Sequence, residues 1–255
     1  MLTDEQLLRY SRQIMLPDVD INGQETWLNS TVLVVGLGGL GSPVAMYLAA
    51  AGIGELVLVD GDEVDLSNLQ RQIAHTTKRL GQPKVDSARK ALAALNPQVR
   101  IKTQYEQLGE EALHRLVATV DLVVDCSDNF ATRFALNRAC FAHQKPLVSG
   151  AAIRMEGQVS VYDPLQVDSP CYQCLYGEGD EESLTCSESG VLSPLVGIIG
   201  SVQALEALKM LASVGRSLAG RLLLLDAASM EWREMKLRKD PACPVCSSRQ
   251  VNRNS

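Results

Sequence analysis

Residues 32–42 read VLVVGLGGLGS, and the meaning of that stretch decides the fold. Four apolar residues run into Gly36, Gly38 and Gly41, the G-x-G-x-x-G spacing of a strand, tight turn and helix whose backbone approaches a nucleotide phosphate. Nineteen residues after Gly41, ELVLVD ends in Asp60, where a ribose-binding acid belongs. The glycines let the chain turn tightly and rest a phosphate on a helix N-terminus. They specify a nucleotide phosphate, not hydride transfer. Asp60 would accept hydrogen bonds from ribose hydroxyls of NAD and of ATP equally well.

Outward from this unit, strand-like runs alternate with helical stretches. TVLVVG precedes a helix over about 42–52, with Pro43 in its first turn. ELVLVD precedes a helix over about 83–95, closed by Asn96-Pro97. VRIKTQ, a helix near 109–118, VDLVVDC, a helix near 130–143 and PLVSGA continue the rhythm. The alternation predicts an α/β fold, a Rossmann-like doubly wound parallel sheet with helices on both faces. Segment 3–15 carries Leu7, Leu8, Ile14 and Met15 in a helical pattern. After residue 155 the rhythm changes: GQVSVYD alternates like an antiparallel strand, and a helix near 195–213 precedes strands RLLLLDA and EWREMKLR. The acidic, Gly- and Ser-rich stretch 176–190 reads as a mobile loop, and the polar tail 248–255 as disordered. The expected organisation is one domain over 1–247, with a nucleotide-binding half at about 30–155 and a second half at about 156–247.

The chain has 255 residues and a net charge of -6, with a pI near 5.2. That is long enough for a substantial core, and acidic enough to argue against nucleic acid or an anionic membrane as partner. Asp4, Glu5, Arg9 and Arg12 near the start are incompatible with a secretory signal, so a cytoplasmic location is expected. Residues 31–54 carry no charge, but six glycines and Pro43 interrupt them. A buried strand, turn and helix explain that run better than a membrane span. Seven cysteines in such a chain point to metal or reactive thiols rather than disulfides.

The residues after Asp60 favour a triphosphate. DGDEVDLSNLQRQ, residues 60–72, puts Asn68 and Arg71 three apart, on one face of a helical turn, and Lys84 opens the next helix. Two cations near a phosphate-binding turn suit ATP, whereas the diphosphate of a nicotinamide cofactor needs no such clamp. Asp128 follows the strand DLVVDC, at the carboxyl edge where ligands of open α/β sheets collect. It is the natural Mg²⁺ side chain, or else a cap for the next helix. Cys171-x-x-Cys174 and Cys243-x-x-Cys246 are paired knuckles with the spacing of a closed structural zinc site, which has no open position for catalysis. Cys126 and Cys140 sit in apolar patterns and read as core.

RYSRQI, GLGGLGSPVA, VDGDEVDLSNLQRQ, GQPKVDSA, DCSDNFATR, CYQCL and CPVC together resemble the E1-like adenylyltransferases, a family that includes ubiquitin-activating enzymes and the bacterial MoeB and ThiF proteins. The similarity is greatest to the molybdopterin-synthase (MoeB) branch, and these motifs alone do not separate it from the thiamine-pathway (ThiF) branch. The resemblance implies ATP-binding roles for Gly39, Asp60, Ser67, Asn68, Leu69, Gln70, Arg71, Lys84, Asp128 and Asn129. It also implies that Arg12 enters the site from the neighbouring subunit of a homodimer. The implied substrate is the C-terminal Gly-Gly carboxylate of a ubiquitin-fold sulfur carrier, MoaD-like or ThiS-like, adenylylated with release of pyrophosphate. No rhodanese segment follows, so the sulfur donor is expected to be a separate protein. Cys186 matches a position that in ThiF-like proteins links covalently to the carrier; an unreactive loop cysteine is the alternative. An α-carboxylate is already ionised at pH 7, so the reaction needs no general base. His75, His114 and His143 fall outside every motif quoted above.

Overall fold

The computed structural model describes residues 2–177 and 190–247. Five strands, β1 (Thr31–Val35), β2 (Glu55–Val59), β3 (Arg100–Gln104), β4 (Leu122–Asp125) and β5 (Leu147–Ile153), run parallel. Strands β6 (Glu156–Tyr162), β7 (Arg221–Asp226) and β8 (Glu231–Lys236) extend the sheet antiparallel. The spatial order is β3-β2-β1-β4-β5-β6-β7-β8. The chain reverses its direction of progress across the sheet between β1 and β4, which opens a crevice beyond their carboxyl ends.

Along β1 and β2, alternate residues face opposite sides and both sides are buried. Val32, Val34, Leu56 and Leu58 belong to one core, beneath α4 (Gly41–Ala51), α5 (Lys84–Leu95) and α9 (Ser193–Ala212). Leu33, Val35, Val57 and Val59 belong to the other, beneath α6 (Glu110–Val117) and α7 (Phe130–His143). Burial on both faces is why these strands read as unbroken apolar runs. The uncharged stretch 31–54 is β1, a turn and α4, as its composition suggests. Among the described residues α9 is the one helix long and apolar enough to cross a membrane. Here it lies on α4, β5 and β6, with Leu195, Ile199 and Ala207 in the core.

The N-terminal helix expected over 3–15 is broken into α1 (Asp4–Arg9) and α2 (Ser11–Ile14). Tyr10 causes the break. Its ring lies over Gly52, where a Cβ would come within 2.5 Å of Cζ, and its hydroxyl accepts from Asn96 Nδ2 at 2.9 Å. Burying this large side chain outweighs one more turn of exposed helix. Helix α3 (Asp20–Asn29) has no apolar periodicity to announce it. It is held instead by Trp27, whose Nε1 donates to the Leu208 carbonyl at 3.0 Å, and by Gln24, which donates to the Ala51 carbonyl at 3.0 Å. The short helix α8 (Tyr172–Leu175) is likewise invisible to periodicity. The loop expected over 176–190, apart from residues 176, 177 and 190, and the tail 248–255 lie outside the described residues.

Candidate active site

The chain leaves β1 at Gly36 with φ of 88°, and a Cβ there would lie 2.6 Å from the Cys126 carbonyl oxygen. Only glycine makes this turn so close to the end of β4. Helix α4 then starts with Leu40 at its N-cap and no side chain capping its first turn, so its amide dipoles face the crevice without a local side-chain acceptor. Gly39 is packed beneath Val196 of α9, whose Cγ2 would be 3.0 Å from a Cβ at that position. Gln72 approaches the turn at Gly38, and its Oε1 is buried without a hydrogen-bond partner. The sequence assigns Gln72 no role; a buried acceptor left without a partner beside the glycine turn is the signal that singles it out.

Asp60, at the end of β2, accepts from the Leu37 amide at 2.6 Å and from the Asp62 amide at 2.8 Å. Burial raises its pKa, against the opposing charge of Lys84 and the two amides. Each carboxylate oxygen keeps acceptor capacity for a ribose hydroxyl. Lys84, the first residue of α5, is not a solvated surface charge: its side chain is 6% exposed and its Nζ sits 2.8 Å from Asp62 Oδ2. Between them, Asp65 accepts the Ser67 amide at 2.8 Å and its hydroxyl at 2.5 Å. Arg71 bonds the Ser67 carbonyl at 3.3 Å, and Asn68 bonds the Ser67 hydroxyl at 3.2 Å. Leu69 is half-buried, and the Gln70 carbonyl accepts from the hydroxyl of Ser193 at the head of α9.

At the end of β4 two acidic residues divide the labour. Asp125 is fully buried and accepts from the Ser127 amide at 3.0 Å, the Ser127 hydroxyl at 2.6 Å and the Ser149 hydroxyl at 2.9 Å. It forms the turn that carries the chain out of the sheet, and Arg133 fastens that turn from α7 by donating to the Ser127 carbonyl at 2.8 Å. Asp128 emerges exposed at the crevice. The N-cap of α7 is Asn129, whose Oδ1 accepts from the Thr132 amide at 2.9 Å, so the capping role once open to Asp128 is taken by its neighbour.

Gly39, Asp60, residues 67–71, Lys84, Asp128 and Asn129 thus come from segments that follow the carboxyl ends of β1, β2 and β4 or lead into α5. Arg12 stands apart. It is exposed on α2, touches Met15 Sδ at 3.8 Å, and is two residues from Tyr10, which is seated at the C-terminal end of α4. The glycine turn is at the other end of that helix, roughly 16 Å away at 1.5 Å per residue. The three histidines offer no base at the crevice. His75 is buried with both ring nitrogens engaged, and His114 packs edge-on at 5.4 Å against His143, the last residue of α7, at the end of that helix away from Asn129.

Cys171, Cys174, Cys243 and Cys246 converge, their Sγ atoms all within 4.8 Å of one another. Cys171 to Cys243 is 3.4 Å, Cys174 to Cys246 is 3.3 Å and Cys171 to Cys174 is 3.9 Å. These spacings are too long for disulfides, and bracket the roughly 3.8 Å between sulfurs of a tetrahedral tetrathiolate centre with 2.3 Å bonds. The cluster can hold a metal ion. Cys126 and Cys140 are buried in the two cores, and burial pushes both thiols up. Cys186 lies outside the described residues.

The model of the ThiF family matches residues 10–245. Molybdopterin-synthase adenylyltransferase of Escherichia coli K12 is 52% identical over 96% of this chain and 98% of its own length. The sulfur carrier protein ThiS adenylyltransferase of the same organism is 45% identical over 96% of this chain and 97% of its own length. The crystal structure of Escherichia coli MccB with ATP shares the fold, with a TM-score of 0.82 at 22% identity over 93% of this chain and 74% of that one. With a family match over residues 10–245 and a relative 52% identical over nearly its whole length, this chain belongs to the ThiF family.

Proposed function

We propose that the protein adenylylates the C-terminal glycine carboxylate of a ubiquitin-fold sulfur carrier, consuming ATP and releasing pyrophosphate, in cytoplasmic molybdopterin biosynthesis. The observation that carries the reading is the β1–β4 reversal of the sheet: the uncapped start of α4 follows β1, Asp60 ends β2 with its carboxylate on the Leu37 amide of the glycine turn, and exposed Asp128 follows β4, all at the carboxyl edge of the strands. Asp60 receives the ribose, the glycine turn and α4 receive phosphates, and Arg71 and Lys84 offset their charge. The attacking carboxylate arrives ionised, so the task is to cancel repulsion between an anionic nucleophile and a polyanion. A site without a free histidine is sufficient for that. Mg²⁺, held by Asp128 and phosphate oxygens, would supply further charge neutralisation at the α-phosphate. The four cysteines would hold a structural zinc. The carrier is taken as MoaD-like, given the 52% identity to the molybdopterin-synthase enzyme; the 45% identity to the ThiS enzyme favours a ThiS-like carrier as the second reading. Nucleotide binding belongs to the half at about 30–155, and carrier and zinc binding to that at about 156–247, with a separate protein donating sulfur. ATP–pyrophosphate exchange that requires a Gly-Gly-terminated carrier tests this, with the two carriers compared side by side. Exchange independent of any carrier, or its absence with both, would sink it.

Arg12 belongs, in this reading, to the partner's site in a homodimer, because its own glycine turn is at the far end of α4. Arg12→Ala and Asp128→Ala chains, each inactive alone, should recover part of the exchange activity when co-assembled. One site per heterodimer then holds both native residues. Confirmed heterodimers with no recovery would count against a shared site.

A further inference from the structure

His75 matched no motif in the sequence, yet it is among the most constrained polar groups near the crevice. It is 5% exposed. Its Nε2 lies 2.9 Å from the Leu37 carbonyl oxygen, inside the glycine turn, and its Nδ1 lies 2.9 Å from Ser87 Oγ on α5. A carbonyl oxygen only accepts, so Nε2 must carry the proton; Nδ1 is then an acceptor, and the fully buried Ser87 hydroxyl donates to it. Burial lowers the pKa of the ring, outweighing the pull of the Leu37 carbonyl, and the charges of Lys84 and Arg79 lower it further. The ring is therefore neutral and in one tautomer.

Its two partners matter because of what they carry. Leu37 is the residue whose amide is held by Asp60 at 2.6 Å, so the ribose acid grips one side of Leu37 and His75 the other. Ser87 lies three residues after Lys84 on the same face of α5, and Arg79 secures that stretch by donating to the Ser87 carbonyl at 2.6 Å. The imidazole thus bridges the element that cradles phosphate and the helix that bears the site's buried cation. Because both of its nitrogens are used in this bridge, it has none left for proton transfer.

We propose that His75 is a positioning residue, a neutral Nε2-protonated latch that fixes the spacing between the glycine turn and Lys84. Its kinetic consequence rests on the adenylyltransferase reading above; its tautomer does not. A displacement of about 1 Å in a site governed by positioning commonly costs about 10²-fold in rate. His75→Leu keeps the bulk and removes both bonds. It should lower kcat for carrier-dependent exchange by roughly 10–100-fold while the ATP Kd changes little. His75→Gln can donate from Nε2 to Leu37 and accept at Oε1 from Ser87, and should restore most of the lost rate. Ser87→Ala, which removes only the second bond, should cause a smaller loss in the same direction and covers the case of a Leu variant that fails to fold. Nitrogen-15 NMR of the ligand-free protein should find His75 neutral with its proton on Nε2 at pH 7.

A proton on Nδ1, or a charged ring at pH 7, would overturn the latch whatever the enzyme does. So would a folded His75→Leu variant with wild-type kcat, or a loss that Gln does not rescue. Absence of carrier-dependent exchange in the wild-type protein would refute the functional reading instead, and the tautomer would still decide the latch.

Discussion

Asp128→Asn is expected to slow carrier-dependent pyrophosphate exchange by about 10²–10³, the roughly 3–4 kcal/mol that one preorganised electrostatic contact contributes in such a step. The melting temperature should stay where it is. Asparagine matches the size of aspartate and is an equally good helix cap, so the substitution removes charge and little else. The structure sharpens the test. The cap of α7 is Asn129, and the turn out of β4 is built by buried Asp125 with Ser127, Ser149 and Arg133. Asp128 is left exposed at the crevice, with its neighbours doing the structural tasks. Its carboxylate therefore has a ligand role or none. ATP binding should weaken less than catalysis, because the glycine turn, Asp60 and Lys84 remain. A folded Asp128→Asn variant that keeps most of its exchange rate would refute the metal-side role.

The same pair of aspartates marks how far the sequence was legible. In DCSDN the spacing from the strand pointed to Asp128, but nothing local distinguished the exposed acid from Asp125, whose partner Ser149 is 24 residues away. His75 was illegible for a related reason. One of its partners is 38 residues upstream in the glycine turn, and no short-range pattern records that contact. Strands β1, β2 and β4 could be read because burial on both faces imposes continuous apolar runs, a signal contained in the strand itself. Helices α1 and α2 were read as one because periodicity is blind to Tyr10, whose burial against Gly52 and Asn96 is a tertiary event. Helix α3 depends on Trp27 and Gln24 reaching α9 and α4, so its sequence alone carries no stripe. Lys84 was legible in position but not in environment: its ion pair with Asp62 spans 22 residues. The cysteine pairs sit at the favourable end of this scale. Each knuckle is a four-residue signal, and two knuckles suffice to specify a tetrathiolate even with 68 residues between Cys174 and Cys243.

That cysteine cluster yields the largest expected effect on stability. Native protein should purify with close to one zinc per chain, and Cys243→Ser should retain far less. Burial, reinforced by neighbouring Cys174, pushes the Cys171 thiol up to about 12, so without a cation this thiol stays protonated at neutral pH. A bound metal reverses that, because four thiolates within 4.8 Å are stable only around a positive ion. Binding accordingly releases protons, and metal affinity should fall as pH falls. The ion would join the chain at residues 171–174, after β6, to the segment at 243–246 beyond β8, and Cys171, Cys243 and Cys246 are part of the core beneath α7. In isolated zinc-finger peptides structural zinc is worth about 10–16 kcal/mol. Here the sheet and two cores form most of the fold, so the loss should be a fraction of that. Even about 4 kcal/mol corresponds to a drop of roughly 8–16 °C in a chain of this size. The cluster is built from segments other than those that form the crevice, so Cys243→Ser enzyme assayed well below its melting point should keep much of its exchange activity. Metal analysis of the native protein, and melting curves of both proteins with and without a strong chelator, decide the matter. Native protein free of metal, or a Cys243→Ser variant that melts at the native temperature, would rule out a structural metal centre.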